Sequence, residues 1–580
     1  DTKSFFAYVR SINKSKITVG PLTGTDGQPL ESTHSTSNEF NNYFASVFTA
    51  ENMRDIPDPA PTFQGSEAEK LTDIEFGIED VKRVLSKLRA DKASGVDELL
   101  PRFLSGIQET LAYPLYVMWR KSLNEGVVPD DWKRANVTPI YKKGSRSSAE
   151  NYRPVSLTSQ VSKLFETLMR DAIVHHLEKH VLLNESQHGF RRNRSCLSNL
   201  LKFLDKVSGF LDEGGNADAV FLDFAKAFDK VPHRRLLKKL SSHGIDGRVW
   251  KWVEAWLTDR YQRVCIGGIK SSWIRVISGV PQGSVLGPVL FLIYINDLDE
   301  GLSSWILKFA DDTKIFGKVS KPGDSERLQS DLDKLMKWSD EWQMMFNVKK
   351  CKVMHFGSKN PGSNYVMNGL SLEKVHIERD LGVLISDDLK VSGQCCQAYL
   401  KANRMLGLIK RTIVNKDPDI MVRLYKTLVR PHVEYCTAAW SPYYQKDKDL
   451  IEKIQHRFTK MIPNISHLSY EERIEILHLW TLEERRNRAD LIQVFKMYNG
   501  ASAPGFGDFF EVDSRGRTRG HSLKLVKHRS STLVRQMFFS ERVVNNWNRL
   551  SAETVASTSL EQFKNRLTKL REAKKGLFRD

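Results

Sequence analysis

Two adjacent acids, Asp311 and Asp312, sit in Phe309-Ala310-Asp311-Asp312-Thr313, with Trp305-Ile306-Leu307 before them and Ile315-Phe316 after. Apolar runs on either side of a short acidic break predict a tight hairpin whose turn presents both carboxylates. A third acid, Asp223, closes the apolar run Ala219-Val220-Phe221-Leu222 and lies 88 residues upstream of Asp311. A charge set among apolar strands costs stability unless it is paired or metal-bound. Three carboxylates held close also raise one another's pKa. No Cys or His cluster accompanies them, so the donors are hard oxygens that suit Mg²⁺, with Mn²⁺ as a substitute. A pair of such ions is what in-line phosphoryl or nucleotidyl transfer uses. Asp223 and Asp311 are the expected bridging ligands and Asp312 a supporting one, with the Phe224 carbonyl also in reach.

Two further features have the spacing of a nucleotide site. Gly279-Val280-Pro281-Gln282-Gly283-Ser284 precedes an expected helix at 284–296. Gly and Pro, Gly283 among them, fix a tight loop there that lets backbone approach a nucleotide closely, and amides at a helix N-terminus favour anions. Gln282 offers both a donor and an acceptor to a base or sugar. Phe228 follows Asp223 by five residues; its ring either presses on a deoxyribose, excluding a 2′-hydroxyl, or packs in the core.

Elements must bring these residues together. Strands are expected at 135–141, 219–224, 263–266, 273–278, 305–309, 314–316, 353–356 and 381–385. Between them fall helices near 160–180, 196–211, 234–242, 247–257, 284–296 and 325–345. Interspersed runs of both kinds indicate an α+β core with a mixed or antiparallel sheet. Upstream, Phe40, Tyr43, Phe44, Val47 and Phe48 form a helical stripe over 38–50 with Asn38 as its cap, and Asp55–Glu69 is a Pro-rich, acidic linker. A helix at 80–90 follows, and beyond about 392 only helices are expected, at 395–412, 417–429, 446–461, 470–478 and 482–498.

The chain has 580 residues and a net charge of +18. That excess favours an anionic partner, nucleic acid or a membrane surface. Residues 515–580 hold sixteen Lys/Arg against five Asp/Glu, a net of +11. Arg515, Arg517, Arg519, Lys524, Lys527 and Arg529 are therefore candidate phosphate contacts. Trp547 and Phe538-Phe539 are expected to stack on bases or to pack helices. The six cysteines show no zinc or disulfide spacing. The most apolar stretch, 285–295, is too short to span a bilayer.

In order and spacing, Val220 to Asp229, Gly279 to Gly283 and Phe309 to Asp312 resemble the catalytic motifs of reverse transcriptases. Lys92-Ala93-Ser94-Gly95-Val96-Asp97, Asn151-Tyr152-Arg153-Pro154-Val155-Ser156-Leu157 and Gln187-His188-Gly189-Phe190-Arg191 are similar to those of non-LTR (LINE-type) retrotransposons, jockey-like and chicken-repeat-like. The resemblance implies a right-hand polymerase. Its parts would be an N-terminal extension and linker at 1–75, fingers at 76–215, a palm at 216–390, a thumb at 391–500 and a basic nucleic-acid-binding region at 501–580. It implies an RNA-directed DNA polymerase that takes an RNA template, a DNA primer or target and dNTPs, and works at a primed chromosomal site in the nucleus after meeting element RNA in the cytoplasm. By the same resemblance Arg153 with Lys142 or Lys143 contacts triphosphate or template, Lys350 stands beside the leaving pyrophosphate as a general acid, and Leu381-Gly382-Val383 is a primer-grip turn. No room is left for an endonuclease, and a C-terminal Cys–His knuckle is absent. Two alternatives stand beside this reading. One is a catalytically silent RNA- or DNA-binding descendant. The other is an RNA-dependent RNA polymerase, which Phe228 argues against.

Overall fold

The computed structural model describes residues 2–13, 19–24, 27–321, 323–514, 520–574, 576 and 578. The strands that matter for the site are, in chain order, β1 (Arg134–Tyr141), β2 (Tyr152–Leu157), β3 (Ala217–Leu222), β4 (Arg260–Ile266), β5 (Ile269–Lys270), β6 (Ile274–Val276), β7 (Trp305–Phe309), β8 (Asp312–Lys318) and β9 (Lys352–Phe356). They form two sheets. In the first, β4 runs parallel to β1, β2 pairs antiparallel on the other side of β1, and the short β5 and β6 both pair with β4.

The second, central sheet holds β3, β7, β8 and β9. Its order is Glu373–Lys374, β9, β3, β8, β7, with β3 antiparallel to both neighbours. Side chains alternate between two cores. Val220, Leu222, Ile306, Ile315 and Val353 face one core, with the helices Gln108–Glu125, Gln160–Lys179, Gly247–Leu257 and Gly287–Tyr294. Ala219, Leu307, Phe316, Met354 and Phe356 face the other, with Cys196–Asp212, Ser392–Thr412 and the later helices. Because both faces are covered, the strands read as nearly continuous apolar runs. The result is a mixed helix-and-sheet fold, as the sequence pattern indicates.

Several expectations shift. The stripe around Phe40 and Phe44 is a helix over Thr33–Ser46, capped by Ser32, whose side chain accepts from the Ser35 N–H. Asn38 lies inside it, and its carbonyl oxygen accepts from Ser272 N at 3.1 Å. Phe40 and Phe44 pack on the first sheet against Val137, Tyr152 and Val264. β2 is a strand that the apolar pattern does not show, because Pro154 interrupts it; it tolerates that proline as an edge strand. Gln108–Glu125 likewise escapes the pattern, carrying Pro114 within the helix. The helix expected at 284–296 spans only Gly287–Tyr294.

Asp55–Glu69 has the irregular backbone of a linker but is held as a strap. Arg235 donates to the carbonyls of Asn52 and Asp55, Lys238 pairs with Asp58, and Phe63 packs on the rings of His176 and His180. Past residue 390 the second core continues through residue 500 without a break. Helix Leu482–Tyr498 packs there with Phe539–Asn548 and Leu560–Ala573. Among the described residues no helix is long and apolar enough to cross a membrane.

Candidate active site

β3 and β8 fix the site by register. Leu222 stands opposite Thr313, so Asp223 and Asp312 emerge level at one end of the central sheet. Phe309 pairs with Asp312 across the β7–β8 ladder, leaving Ala310-Asp311 as a two-residue turn. Ala310 takes φ 54°, in the left-handed region, which costs a residue with a Cβ roughly 1–2 kcal/mol. The turn therefore needs bracing from outside.

Burial raises the pKa of Asp311, and the charge of Asp223 adds to it, while Arg153 and Lys142 pull it down. Asp312 is pushed up to about 6, first by burial, then by Asp311, Asp380 and Asp223, with Lys314 opposing. Lys350 Nζ lies 3.3 Å from Asp223 Oδ2. Lys142 is depressed by burial and by the charges of Arg153 and Lys350, with Asp223 opposing. One field thus contains three carboxylates and three cations drawn from separate stretches of the chain. Lys143 is an exposed neighbour of Lys142. Among the described residues no group of three or more His, Cys, Asp or Glu is placed so as to hold a metal ion. Asp223 is turned onto Lys350, and Asp312 shares its strand face with Lys314, which pairs with Asp380.

A second acid of β3 makes a useful control. Asp218 is fully buried, but His355, Asn360 and Tyr365 all reach its carboxylate, at 2.7, 2.8 and 2.6 Å. Its lone pairs are satisfied within the protein.

The loop at 279–283 is pinned on two sides. Gly279 N donates to Val231 O at 2.8 Å, and Val280 N donates to Phe228 O at 2.7 Å. Gly283 has φ 117°, and a Cβ there would lie 2.5 Å from Ser156 O. Two expectations for this loop need correction. The amides ahead of the helix are not free for an anion: Val285 N and Leu286 N donate to the buried carboxylate of Glu166, at 2.8 and 3.3 Å. The Gln282 amide nitrogen is likewise engaged, donating to both oxygens of Asp229 at 3.0 and 3.1 Å. Burial pushes Asp229 up to about 6, against the Gln282 bond and Lys226. Phe228 is half-buried and stacks on Phe291 at 4.5 Å. Phe224 stacks on Phe346 at 4.4 Å. Leu381-Gly382 forms a tight turn with both residues at positive φ, and Tyr435 donates to Leu381 O at 2.9 Å.

At the basic end, Arg515, Arg517 and Arg519 lie outside the described residues. Lys524 is half-buried, while Lys527 and Arg529 are exposed on the wall of a cavity of about 500 Å³ shared with Tyr443 and Arg542. Trp547 and Phe539 are fully buried, and Phe538 nearly so. Trp547 donates to Leu523 O at 2.8 Å. Of the two uses open to these rings the structure takes helix packing.

The chain is similar to known proteins. Residues 140–398 match the reverse transcriptase (RNA-dependent DNA polymerase) family. Over those residues the chain is similar to a reverse transcriptase domain. Its relatives include the RNA-directed DNA polymerase from mobile element jockey of Drosophila melanogaster, 28% identical over 62% of this chain and 40% of the relative. The jockey protein of Drosophila funebris is 27% identical over 67% of this chain and 44% of its own. A probable RNA-directed DNA polymerase from transposon BS of D. melanogaster is 25% identical over 71% and 47%. The chain therefore resembles jockey-like retrotransposon polymerases, and it spans less than half the length of these relatives. The reverse transcriptase match includes β2, the central sheet and the Leu381 turn.

Some residues to which spacing assigns no role prove to be structural partners of the site. Gln187 and Gly189 touch the Ala310-Asp311 turn, and Asp229 and Glu166 hold the 279–286 segment. Spacing from Asp223 could have singled out Asp229; nothing in the local pattern marks Glu166.

Proposed function

We propose that this chain is an RNA-directed DNA polymerase of a non-LTR retrotransposon, copying element RNA onto a DNA primer at a chromosomal site in the nucleus. One observation carries the reading: Asp223, Asp311 and Asp312 gather at one end of the central sheet and face Lys142, Arg153 and Lys350. The family match and the jockey relatives support it.

The carboxylates fit divalent cations by chemistry: hard oxygens brought to one end of the sheet and mutually repelling. Asp223, Asp311, the supporting Asp312 and the Phe224 carbonyl would hold two Mg²⁺, or Mn²⁺. When bound, these ions supply charge stabilisation at the attacking 3′-hydroxyl and the leaving pyrophosphate. Arg153 and Lys142 would bind the triphosphate oxygens, with Lys143 at the edge. Lys350, held by Asp223 until substrate enters, would give its proton to the pyrophosphate oxygen. Phe228, fixed by Phe291, would exclude a 2′-hydroxyl; Asp229 would hold Gln282 and Gly283 beneath the sugar. On this reading the central sheet is the palm of a right hand, the elements before it the fingers, and the helices after residue 390 the thumb. Lys524, Lys527 and Arg529 would contact nucleic-acid phosphates, with Arg515, Arg517 and Arg519 joining them.

Primer extension on a defined RNA template with dNTPs and Mg²⁺ tests the reading. The parent extends and Asp311→Asn/Asp312→Asn does not; equal extension by both would overturn it. Equal use of NTPs and dNTPs by the parent would refute the Phe228 gate. Salt-sensitive RNA binding without extension under either metal would point to a silent nucleic-acid-binding descendant.

A further inference from the structure

The catalytic turn is held by a residue outside the acids and the metal-binding set. Gln187 is 2% exposed, and its Oε1 accepts from Ala310 N at 3.0 Å and from Gly189 N at 2.8 Å. Two backbone donors meeting one side-chain oxygen fix which way this amide points. Its Nε2 is buried and has no partner among the described residues. Such an orphan donor is unfavourable in itself, so the acceptor is the half of the side chain with a structural task.

The task lies at the turn. Ala310 sits at φ 54° immediately before Asp311, and the Gln187 bond takes up its N–H. The surrounding segment reinforces this contact. Ser186 O accepts from Lys308 N at 2.9 Å, and His188 N donates to Lys308 O at 2.8 Å, so residues 186–188 form a short parallel bridge along β7. Gly189 permits the approach: a Cβ there would lie 2.5 Å from Ala310 N. From the other side Lys308 Nζ pairs with Asp299 at 2.7 Å and donates to the carbonyls of Ile295 and Asn296. β7 is thereby held near its end, and Gln187 reaches past it to the turn.

We propose that Gln187 is a positioning residue for catalysis: through Ala310 N–H it sets the left-handed turn that aims the Asp311 carboxylate. The inference rests on the polymerase reading, because it assigns Asp311 the chemistry. Orientation errors of a fraction of an ångström at such a site slow the chemical step while leaving binding intact. Gln187→Leu keeps the volume and removes the acceptor. Gln187→Glu keeps an acceptor at the same atom.

The test reads the turn and the reaction separately. Hydrogen exchange over residues 305–318 reports the turn without catalysis; in Gln187→Leu the Ala310–Asp312 amides should exchange at least about tenfold faster, with the rest of the central sheet unchanged. In single-nucleotide extension, kcat should fall about 10- to 100-fold with KM for dNTP within about twofold. Gln187→Glu should restore exchange protection and most of kcat. Unchanged exchange at the turn in folded Gln187→Leu overturns the inference whatever the protein's activity. Faster exchange with unchanged kcat also overturns it, since the contact would then be structural only. If Gln187→Leu does not fold, Gly189→Ala, which drives a methyl into the same N–H, takes its place: faster exchange at the turn with a lowered kcat supports the brace, and a change in neither or in exchange alone overturns it. A parent that fails to extend any primer defeats the polymerase reading, a result that the exchange data distinguish from failure of the brace.

Discussion

The end of the central sheet and the basic C-terminal region both carry charge beside aromatic side chains, and they use the two in opposite ways. At the sheet end acids are crowded together: Asp311 is half-buried and Asp312 exposed, and burial and the neighbouring carboxylates raise both. In the C-terminal region the charges are pushed out and the rings drawn in. Lys527 and Arg529 are exposed, while Trp547, Phe539 and Phe563 fill the core beneath them. A carboxyl raised by burial and by like charges beside it is a functional-site candidate. Asp218 sharpens the point, because it is fully buried yet three donors satisfy it. Depth is not the mark of the site: Asp218 lies deeper than the half-buried Asp311, and what sets Asp311 apart is the opposing charges of Asp223, Arg153 and Lys142 around it.

The contrast predicts separable losses. Asp311→Asn/Asp312→Asn should lower extension by roughly a thousandfold or more, the scale of removing a metal-binding acid from a phosphoryl-transfer site. The melting temperature should hold or rise, since mutually repelling carboxylates are removed. A fall in melting temperature equal to that of a core truncation would show those acids to be structural. Trp547→Ala should do the reverse, costing about 3–5 kcal/mol of stability as a large buried ring is lost. Where the variant remains folded at low temperature, its RNA affinity should keep the parent's salt dependence. A loss of affinity that outruns the loss of folded protein would return Trp547 to the base-stacking role.

The same contrast explains what could be read from the sequence. Asp223 and Asp311-Asp312 are legible because an acid interrupting an apolar run violates the local pattern, and such violations concentrate at functional sites. The strands of the central sheet are legible for the complementary reason, their near-continuous apolar character. Trp547 and Phe539 are ambiguous because basic company says nothing about which way a ring points; only the packing with Phe563 decides it. Glu166 is invisible, being a polar residue on a helix whose partners, the Val285 and Leu286 amides, lie more than a hundred positions away. Pro114 and Pro154 conceal a helix and an edge strand because each breaks a local rule that tertiary packing tolerates. Asn38 is a reasonable cap by residue type, yet Ser32 begins the helix well ahead of it.

Smaller effects separate the regions further. Lys527→Glu/Arg529→Glu should weaken single-stranded RNA binding about tenfold near physiological salt and flatten the log–log salt slope by about 1.4, the value for two lost phosphate contacts. Thermal stability should be unaffected, because both side chains are exposed. An unchanged slope would remove this wall of the cavity from the nucleic-acid path.

The subtlest difference is in the pH dependence of stability without metal. Asp312 titrates near 6 in the folded chain and near 3.9 when unfolded. Between those values the folded state holds the extra proton, so this group's contribution is fully present below about pH 4 and is lost as pH rises through about 6. Asp312→Asn cannot ionise. Its melting temperature in EDTA, measured against the parent's, should therefore gain steadily between about pH 4 and 6 and stay level above. Asp229 also titrates near 6 and persists in the variant, so the subtraction isolates Asp312. Lys527→Glu/Arg529→Glu serves as the control, since these positions lie outside the cluster of acids that raises Asp312. A difference curve for Asp312→Asn that is flat across this window would mean that neither burial nor the neighbouring acids act on Asp312, and the distinction between crowded and dispersed charge would fail where it is most exposed to measurement.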